Sequence, residues 1–394
     1  MNNKKTLYVT KQLNIAQTNQ LDLLSLECGR IYSKCLVTFH RIWRKKGFWL
    51  SKYGMQRIVT EGELHAHTID GVIDIFYENL NSYLVLKKTL PTAKPPQKRK
   101  RFFAIPYKSS AIKLNEGMLT LSNGRGNEKL SIPWAFDKPK TVTINYNHQK
   151  RCYKVNAVYP DFAHCIPLGE KVAGADPGDI HLLATYDGET AYLLNGKALR
   201  SKRRYQNKVK GHFQRKMDVK KKGSRKWKEL NKAKKRVLGR LDNQVKDILH
   251  KQTTGLVKQM YEDGVNVIAL GDLRELRSDV VAKSKRDGIK KTKRNASQRQ
   301  IVHQMLSGKV KTYLAYKANR LGMKVELVNE AWSSKTCPKC LSRNDVKGRS
   351  YECNCGFNHH RDGVGSINIR SKYKYQRYVA VVGEMAPPVG LSYT

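Results

Sequence analysis

The residues best suited to chemistry are four cysteines in the last third of the sequence. They are Cys337, Cys340, Cys353 and Cys355. Two close pairs of thiolates at this spacing can complete a tetrahedral zinc site of the zinc-ribbon type. We predict one structural zinc ion on the four thiolates, and a knuckle this small folds only with its ion. Because the second pair is tight, His359 or His360 in place of one thiolate is the alternative.

Two carboxylates flank the predicted zinc knuckle, which covers about residues 331–358. Glu330 precedes the knuckle and Asp362 follows it, so the folded knuckle would bring them together. A third acid, Asp176, lies on a predicted strand. Each alone is more typical of a helix cap or a surface acid. Together, amid an excess of Lys and Arg, they are what a two-metal phosphodiester cleavage site requires, because acidic ligands hold the ions that clamp the attacking and leaving oxygens.

The charge of the chain indicates a polyanionic partner. Its 394 residues carry 76 Lys and Arg against 32 Asp and Glu, a formal net charge of +44. A surface so strongly self-repelling is typical of proteins that bind nucleic acid. An anionic membrane is the competing partner, but the sequence has no long apolar span and no basic amphipathic helix with a Trp and Leu face. We therefore predict nucleic acid and no membrane.

The remaining cysteines and the amino terminus indicate a reducing compartment. The first residues are basic, but no apolar segment follows them, so they are not a secretory signal. Four further cysteines are scattered through periodic segments and are expected to be plain buried thiols. They are Cys28, Cys35, Cys152 and Cys165. We expect a cytoplasmic or nucleoid protein in a prokaryote, or a nuclear one in a eukaryote.

The order of predicted elements separates a β-rich part from an α/β part. A first strand is followed by two long helical regions, a Pro-rich basic connection near residue 95, and alternating segments with Asn and Gly turns that predict antiparallel hairpins. From about residue 169 the order is strand hairpin, helices, strand, helix, strand. This order predicts a sheet with helices packed against it, interrupted by the zinc knuckle.

The most basic stretch, residues 200–236, holds eighteen Lys and Arg against two acids. Such a run is usually a solvated helical face, but here it continues into a helix with a buried apolar stripe. We predict that its basic face contacts an RNA or heteroduplex backbone, with aromatic side chains stacking on unpaired bases. The proposed contacts are Arg203, Arg204, Tyr205, Lys221, Lys222 and Trp227. For Trp227, packing between helices is an alternative of at least equal weight to stacking on bases.

The motifs resemble those of the transposon-encoded TnpB nucleases, relatives of Fanzor proteins and type V CRISPR effectors. The matching segments are GADPGDIHLLATYDG, SSKTCPKC, CGFNHHRD and SINI. The resemblance implies an RNase H-like (RuvC) domain over residues 169–394. It also implies a β-barrel wedge domain, formed by a first strand at residues 1–15 together with residues 101–168. A helical recognition domain, residues 16–100, is inserted in the wedge domain. The resemblance further implies one protein per guide RNA, cleavage of double-stranded DNA beside a short adjacent motif, and two Mg²⁺ ions.

Within the resemblance, Asp176 matches the first catalytic aspartate and Asp362 the last. The second motif departs from the family pattern, because Gly271 stands where a glutamate usually precedes Asp-Leu. Asp272 and Glu326 are candidates for the missing acid. We favour Glu330, since some TnpB and Fanzor proteins carry a relocated glutamate at this place. The predicted magnesium ligands are therefore Asp176, Glu330 and Asp362.

Residues 48–57 are predicted to read the adjacent DNA motif, because of their position in the family's order of domains. Their candidate contacts are Ser51, Lys52, Tyr53, Gln56 and Arg57.

Two other functions compete with guided cleavage. A guide-dependent DNA-binding repressor without cleavage is favoured if nothing replaces the glutamate missing at Gly271. A zinc-ribbon DNA-binding protein or transposase without a guide is the weakest, because the sequence has no recombinase motif.

Overall fold

A computed structural model gives the fold of the chain in two compact units, Met1–Asp161 and Phe162–Thr394. We describe each unit by itself. The residues described are 7–60, 64–99, 101–148, 150–161, 165–272, 305–346, 348–381 and 386–393.

Three helices form the helical part of the first unit. They are α1 (Asn19–Lys46), α2 (Lys52–Ile58) and α3 (Ala66–Thr89). The Thr18 hydroxyl caps α1 by accepting from the Leu21 amide, and Gly47 ends the helix with a φ of 68°. α1 and α3 pack through aromatic side chains, with the rings of Phe39 and Phe76 5.8 Å apart. The periodicity of the sequence predicted both long helices.

The strands of the first unit form two antiparallel sheets. They are β1 (Leu7–Ile15), β2 (Ile105–Lys108), β3 (Ile112–Asn115), β4 (Met118–Leu121), β5 (Leu130–Pro133), β6 (Thr141–Asn147) and β7 (Cys152–Asp161). One sheet has the order β1-β7-β6-β2 and the other β3-β4-β5. β1 pairs with β7 along its whole length, although three helices separate them in sequence. Since the described strands form two sheets with free edges, the wedge barrel stays a prediction.

The second unit is built on one six-stranded sheet with the order β12-β11-β8-β9-β10-β15. Its strands are β8 (Lys171–Asp176), β9 (His181–Tyr186), β10 (Ala191–Asn195), β11 (Val265–Gly271), β12 (Lys324–Val328) and β15 (Val389–Leu391). β8, β9 and β10 form an antiparallel meander, whereas β11 and β12 run parallel to β8. This mixed sheet is consistent with the predicted RNase H-like domain.

Helices cover both faces of this sheet. They are α4 (Lys197–Asp218), α5 (Arg225–Glu262), α6 (Ser307–Arg320) and α7 (Arg361–Tyr375). Ile268 and Leu270 of β11 pack with α5 and α6, whereas Ala269 between them packs with Ile369 of α7. Because successive strand residues point to opposite faces, α7 lies on the face opposite α5 and α6.

Between β12 and α7 the chain forms a small hairpin that carries the cysteines. Its strands are β13 (Ser350–Glu352) and β14 (Asn358–His360), paired antiparallel. The buried Asn368 of α7 donates to the carbonyl oxygens of Ser333 and Thr336, both at 2.7 Å, and so ties the start of this segment to the helix. In the ranges the structure describes, we find no helix that is both long and apolar enough to cross a membrane.

Candidate zinc cluster and carboxylate site

The four predicted zinc ligands lie in one cluster, with their sulfur atoms within 4.8 Å of one another. The Cys337 and Cys355 sulfurs are 3.7 Å apart, and those of Cys340 and Cys353 are 3.5 Å apart. Tetrahedral Zn–S bonds of about 2.3 Å place sulfur atoms about 3.8 Å apart. The thiolates therefore stand at separations that could bind zinc, as the sequence predicted.

The histidine alternative does not fit this arrangement. The buried His359 ring lies with its Nε2 3.3 Å from the Ala386 carbonyl oxygen, and the His360 ring faces His181 instead. Sequence analysis missed Ser342, whose hydroxyl is 2.9 Å from the Cys340 sulfur. Hydrogen bonds from the Ser342 side chain and backbone lower the pKa of Cys340, which favours the thiolate form that binds metal.

Two glycines allow α7 to approach the sheet closely enough to form the carboxylate site. A Cβ on Gly174 of β8 would overlap with the Ser366 carbonyl oxygen of α7, and a Cβ on Gly365 would overlap with a carboxylate oxygen of Asp176. Asp362 lies one helical turn before Gly365, in the first turn of α7. The close contact between β8 and α7 therefore brings Asp362 towards Asp176.

We expect that Gly365→Ala destabilises the second unit by about 1–3 kcal/mol, because its added methyl group has no space beside Asp176. Gly211→Ala in α4 is the matched control, since nothing lies within 4 Å of its added methyl group. The control should gain about 0.5–1 kcal/mol from helix propensity. Urea denaturation of both variants measures the difference. Equal stability of Gly365→Ala and the unmodified protein would contradict the tight packing of α7.

Glu330 occupies the space that the missing side chain at position 271 would use. A Cβ on Gly271 would lie 2.7 Å from Glu330 Oε2 and 3.3 Å from Pro177, the residue that follows Asp176. Glu330 comes two residues after the end of β12, which pairs in parallel with β11. The carboxylate thus reaches the end of β11 from the neighbouring strand.

Burial and nearby negative charge raise the pKa values of Asp176 and Glu330. The pKa of Asp176 is raised well above its ordinary value by burial and then by the charges of Glu330 and Asp362. Burial, with a smaller contribution from Asp272, raises the pKa of Glu330 to about 7. Glu330 Oε2 is buried and has no hydrogen-bond partner. Three acids held together in this way require a compensating positive charge before all can ionise.

The two other candidate acids occupy different surroundings. Asp272 lies near enough to Glu330 to raise its pKa, and its amide donates to the Val328 carbonyl at the end of β12. Glu326 is exposed in the middle of β12 and interacts with Tyr373 of α7. Tyr373 lies eleven residues after Asp362, about 16 Å along a helix. Glu326 is therefore far from the carboxylate site.

The basic stretch forms the hairpin of α4 and α5, as its pattern predicted. Arg204, Lys221 and Lys222 are exposed, and Trp227 is partly buried. Tyr205 is also exposed. Arg203 is different, because its guanidinium donates to Gln206, which in turn donates to Asp242 of α5. This chain of hydrogen bonds gives Arg203 a role in holding the two helices together.

The predicted motif-reading segment contains α2, and two of its residues have internal partners. The Ser51 hydroxyl caps α2 by accepting from the Gly54 amide, and Lys52 forms an ion pair with Asp74 of α3. Tyr53 is 75% exposed, Arg57 is exposed, and Gln56 is half-buried. The side chains of Tyr53, Gln56 and Arg57 are thus the more accessible ones for the predicted contacts.

Sequence analysis also missed an exposed tryptophan beside the carboxylate site. Trp332 follows Glu330 by two residues, is 50% exposed, and adopts a left-handed φ of 69°. The Arg343 guanidinium lies 4.5 Å from the centre of its ring. Its position between Glu330 and the cysteines was visible in the sequence, but its exposure and strained backbone were not.

Comparison with known proteins matches two parts of the chain to families. The family OrfB_IS605, described as "Probable transposase", matches residues 152–277, and the "Cas12f1-like, TNB domain" family matches residues 308–369. TnpB-like protein MJ0751 of Methanocaldococcus jannaschii is 30% identical over 168 residues, which cover 42% of this chain and 56% of that protein. The chain is thus similar to a TnpB-like protein over this part of its length. The resemblance predicted from its motifs is confirmed.

Two further relatives extend the similarity. TnpB-like protein MJ1635 of the same organism is 26% identical over 395 residues, covering 93% of this chain and 86% of that protein. A Streptomyces pristinaespiralis protein, named as a candidate RNA-guided DNA endonuclease, is 25% identical over 272 residues, or 67% of this chain and 61% of that protein. The chain thus spans about three fifths of the length of two of these three similar proteins, MJ0751 and the Streptomyces protein.

Solved structures share the fold of this chain. A Cas12f1–sgRNA–target DNA complex matches with a TM-score of 0.59 at 12% identity, covering 90% of this chain and 83% of that chain. The mini-RNA-guided endonuclease Cas-phi3 matches with a TM-score of 0.50 at 10% identity, covering 97% and 94%. At such low identity, these likenesses show the fold alone.

Proposed function

We propose that this chain is an RNA-guided DNA endonuclease, which uses a transposon-derived guide RNA and cleaves double-stranded DNA beside a short adjacent motif. The observation that carries the proposal is the Glu330 carboxylate at the Gly271 position. It supplies a third acid beside Asp176 and Asp362 where the sequence pattern had lost one. Guided binding followed by hydrolysis would account for both the acids and the net charge of +44.

The carboxylate site fits divalent cations. Glu330 Oε2 is buried without a partner, and burial, followed by neighbouring acidic groups, raises the pKa values of Asp176 and Glu330. Oxygen ligands of this type suit Mg²⁺. Asp176, Glu330 and Asp362 would hold two such ions, which when bound stabilise the attacking and leaving oxygens of phosphodiester hydrolysis. The zinc ion proposed for the cysteine cluster is structural and takes no part in this chemistry.

This chain's own residues position the reacting groups. Gly174 and Gly365 allow α7 to hold Asp362 against β8, and the parallel pairing of β11 with β12 brings Glu330 to Gly271. The exposed basic residues between Arg200 and Lys235 are proposed to bind the phosphates of RNA or heteroduplex. Tyr53, Gln56 and Arg57 are proposed to read the adjacent motif, with Ser51 and Lys52 supporting them through the cap and the ion pair.

The names of similar proteins support this choice of partners. A structure that shares the fold is titled as a Cas12f1 complex with sgRNA and target DNA, and one sequence relative is named for RNA-guided DNA cleavage. The repressor alternative depended on an unfilled position at Gly271. Glu330 in that space favours cleavage.

The proposal is tested by sequencing the nucleic acid that co-purifies with the protein, followed by a cleavage assay with that guide, matched DNA and Mg²⁺. We expect a transposon-end RNA and cutting of guide-matched DNA only. Guide-dependent binding without cutting would assign the chain to the repressor class. Absence of any bound RNA would favour a zinc-ribbon DNA-binding protein without a guide.

Reversing the charge of Arg204, Lys221 and Lys222 to Glu should weaken guide RNA binding and flatten its salt dependence. Loss of three phosphate contacts should lower the slope of log K against log salt concentration by about 2–3. Arg203 is left unchanged because it bonds to Gln206 within the helical hairpin. Filter binding from low to high salt measures both quantities.

The control reverses three exposed lysines elsewhere on α5, Lys246, Lys251 and Lys258, with the same change in net charge. It should keep a steeper salt dependence than the first variant. Equal slopes for the two variants would show that the binding depends on total charge and would refute the assignment of this face.

A further inference from the structure

Two histidines that the nuclease proposal leaves unused lie against Asp362. His181 begins β9, and its Nδ1 is 2.7 Å from Asp362 Oδ2. His360 ends β14 and caps α7, its Nδ1 accepting from the Asp362 amide at 3.2 Å. One ligand atom from each of the three side chains lies within 4.8 Å of the others. Strands β9 and β14 and helix α7 thus converge on one small group of donors.

The geometry of this group matches that of a metal site. Bonds of about 2.1 Å to a divalent ion place neighbouring ligand atoms about 3 Å apart and opposite ones about 4.2 Å apart. Both distances lie between the 2.7 Å from His181 Nδ1 to Asp362 Oδ2 and the 4.8 Å within which all three ligand atoms lie. The side chains of His181 and Asp362 are 18% and 29% exposed, so an ion could enter from solvent. Arg349 lies 3.5 Å from Asp362, but its side chain is 49% exposed and has space to move away.

The donor set selects a class of ion. Mg²⁺ prefers oxygen ligands and keeps much of its water. Imidazole nitrogen suits transition metals, and two histidines with one carboxylate form a known ligand set for divalent ions of that class. Among the described residues, the candidate ligand group that contains histidine is His181, His360 and Asp362, and neither Asp176 nor Glu330 belongs to it. The part of the proposed nuclease site at Asp362 therefore differs in ligand chemistry from the part formed by Asp176 and Glu330.

We propose that His181 and His360 supply two imidazole ligands to the ion held at Asp362, so that this position takes Mn²⁺ or a similar transition-metal dication in preference to Mg²⁺. The inference deepens the proposed function and rests on it for the role of the ion in cleavage. His359 is excluded from the set, because its Nε2 is directed at the Ala386 carbonyl and its ring packs beside Gly363. Neutral imidazoles add no negative charge to the crowded carboxylates.

The test measures metal binding directly. Zinc-loaded full-length protein without a polyhistidine tag, freed of nucleic acid, is titrated with Mn²⁺ and followed by electron paramagnetic resonance. Electron spin echo modulation detects nitrogen bound directly to the ion. We expect a nitrogen-ligated Mn²⁺ that Mg²⁺ displaces only at about tenfold or greater excess, because imidazole nitrogen suits transition metals whereas Mg²⁺ prefers oxygen ligands.

The variant is His181→Asn with His360→Asn. Asn can still cap α7 and still donate to Asp362, so a purely structural role for these histidines would be largely retained. We expect the nitrogen signal to disappear and the preference for Mn²⁺ over Mg²⁺ to fall about tenfold or more. His212→Asn, an exposed histidine on α4, is the control and should change neither quantity. A nitrogen signal that is absent from the unmodified protein, or unchanged in the double variant, would overturn the inference.

The outcomes for the two proposals are separable. Nitrogen-ligated Mn²⁺ in a protein that does not cleave guided DNA would uphold the histidine site and reject the nuclease. Guided cleavage by a protein without the nitrogen signal would uphold the nuclease and reject the histidine ligands.

Discussion

Replacing Glu330 by Gln is expected to reduce guided DNA cleavage by about 10³-fold or more, while guide RNA and target binding stay unchanged. The amide keeps the shape of the side chain but removes the charge that holds a metal ion. Such an ion contributes several kcal/mol to the transition state, and each 1.36 kcal/mol is about tenfold in rate. Single-turnover cleavage and a separate binding assay measure the two effects.

Asp272→Asn is the matched control for Glu330. Asp272 lies at the same end of β11 and influences the pKa of Glu330, but the acids that raise the pKa of Asp176 are Glu330 and Asp362. The control should retain cleavage. If Asp272→Asn abolished cutting and Glu330→Gln did not, the third ligand would be Asp272.

A double variant that moves the carboxylate to position 271 tests the role of Glu330 by recovery of cleavage. Gly271→Glu combined with Glu330→Ala moves the carboxylate to the position where the family pattern has it. Glu330→Ala removes the carboxylate oxygen that would lie 2.7 Å from the new Cβ, and Ile369 Cδ1, 3.0 Å from the same Cβ, has to shift by a few tenths of an ångström. We expect the double variant to recover part of the cleavage lost in Glu330→Ala. No recovery in a folded, zinc-loaded double variant would argue against the exchange of positions.

Replacing Cys337 by Ser is expected to release zinc and unfold the segment around the cluster. Structural zinc in small knuckles contributes about 10 kcal/mol or more to folding, and a hydroxyl is a poor substitute for a thiolate. Cys337 is buried and its sulfur lies 3.7 Å from that of Cys355. The zinc content measured by metal analysis should fall from one ion per chain to near none. Limited proteolysis should cut the chain within residues 331–358.

The loss should extend to cleavage, because the cluster supports Glu330. The Ser333 amide donates to the Glu330 carbonyl, and Asn368 of α7 bonds to the Ser333 carbonyl. Cys152→Ser, at a cysteine of β7 outside the cluster, is the control and should keep its zinc and its activity. A zinc-free protein with an intact cluster region and full cleavage would contradict the structural role of the ion.

The sequence determined the features that depend on neighbours along the chain. The spacing of Cys337, Cys340, Cys353 and Cys355 predicted the cluster, since a zinc knuckle is a local structure. Apolar periodicity predicted α1, α3 and the α4–α5 hairpin, because each helix displays its own buried stripe. The two short apolar runs on either side of Asp176 and its following glycine predicted the β8–β9 hairpin for the same reason.

Tertiary structure decided which distant residues meet. The order of strands in the second unit places β11 between β8 and β12, and only this order puts Glu330 at the space beside Gly271. The resemblance favoured Glu330 over Asp272 and Glu326, but the sequence contains no information on the space beside Gly271. His181 is 181 residues from Asp362, so their 2.7 Å contact has no local signal. It arises because two glycines let α7 pack against the sheet, and close packing is a property of surfaces that only the folded chain brings together.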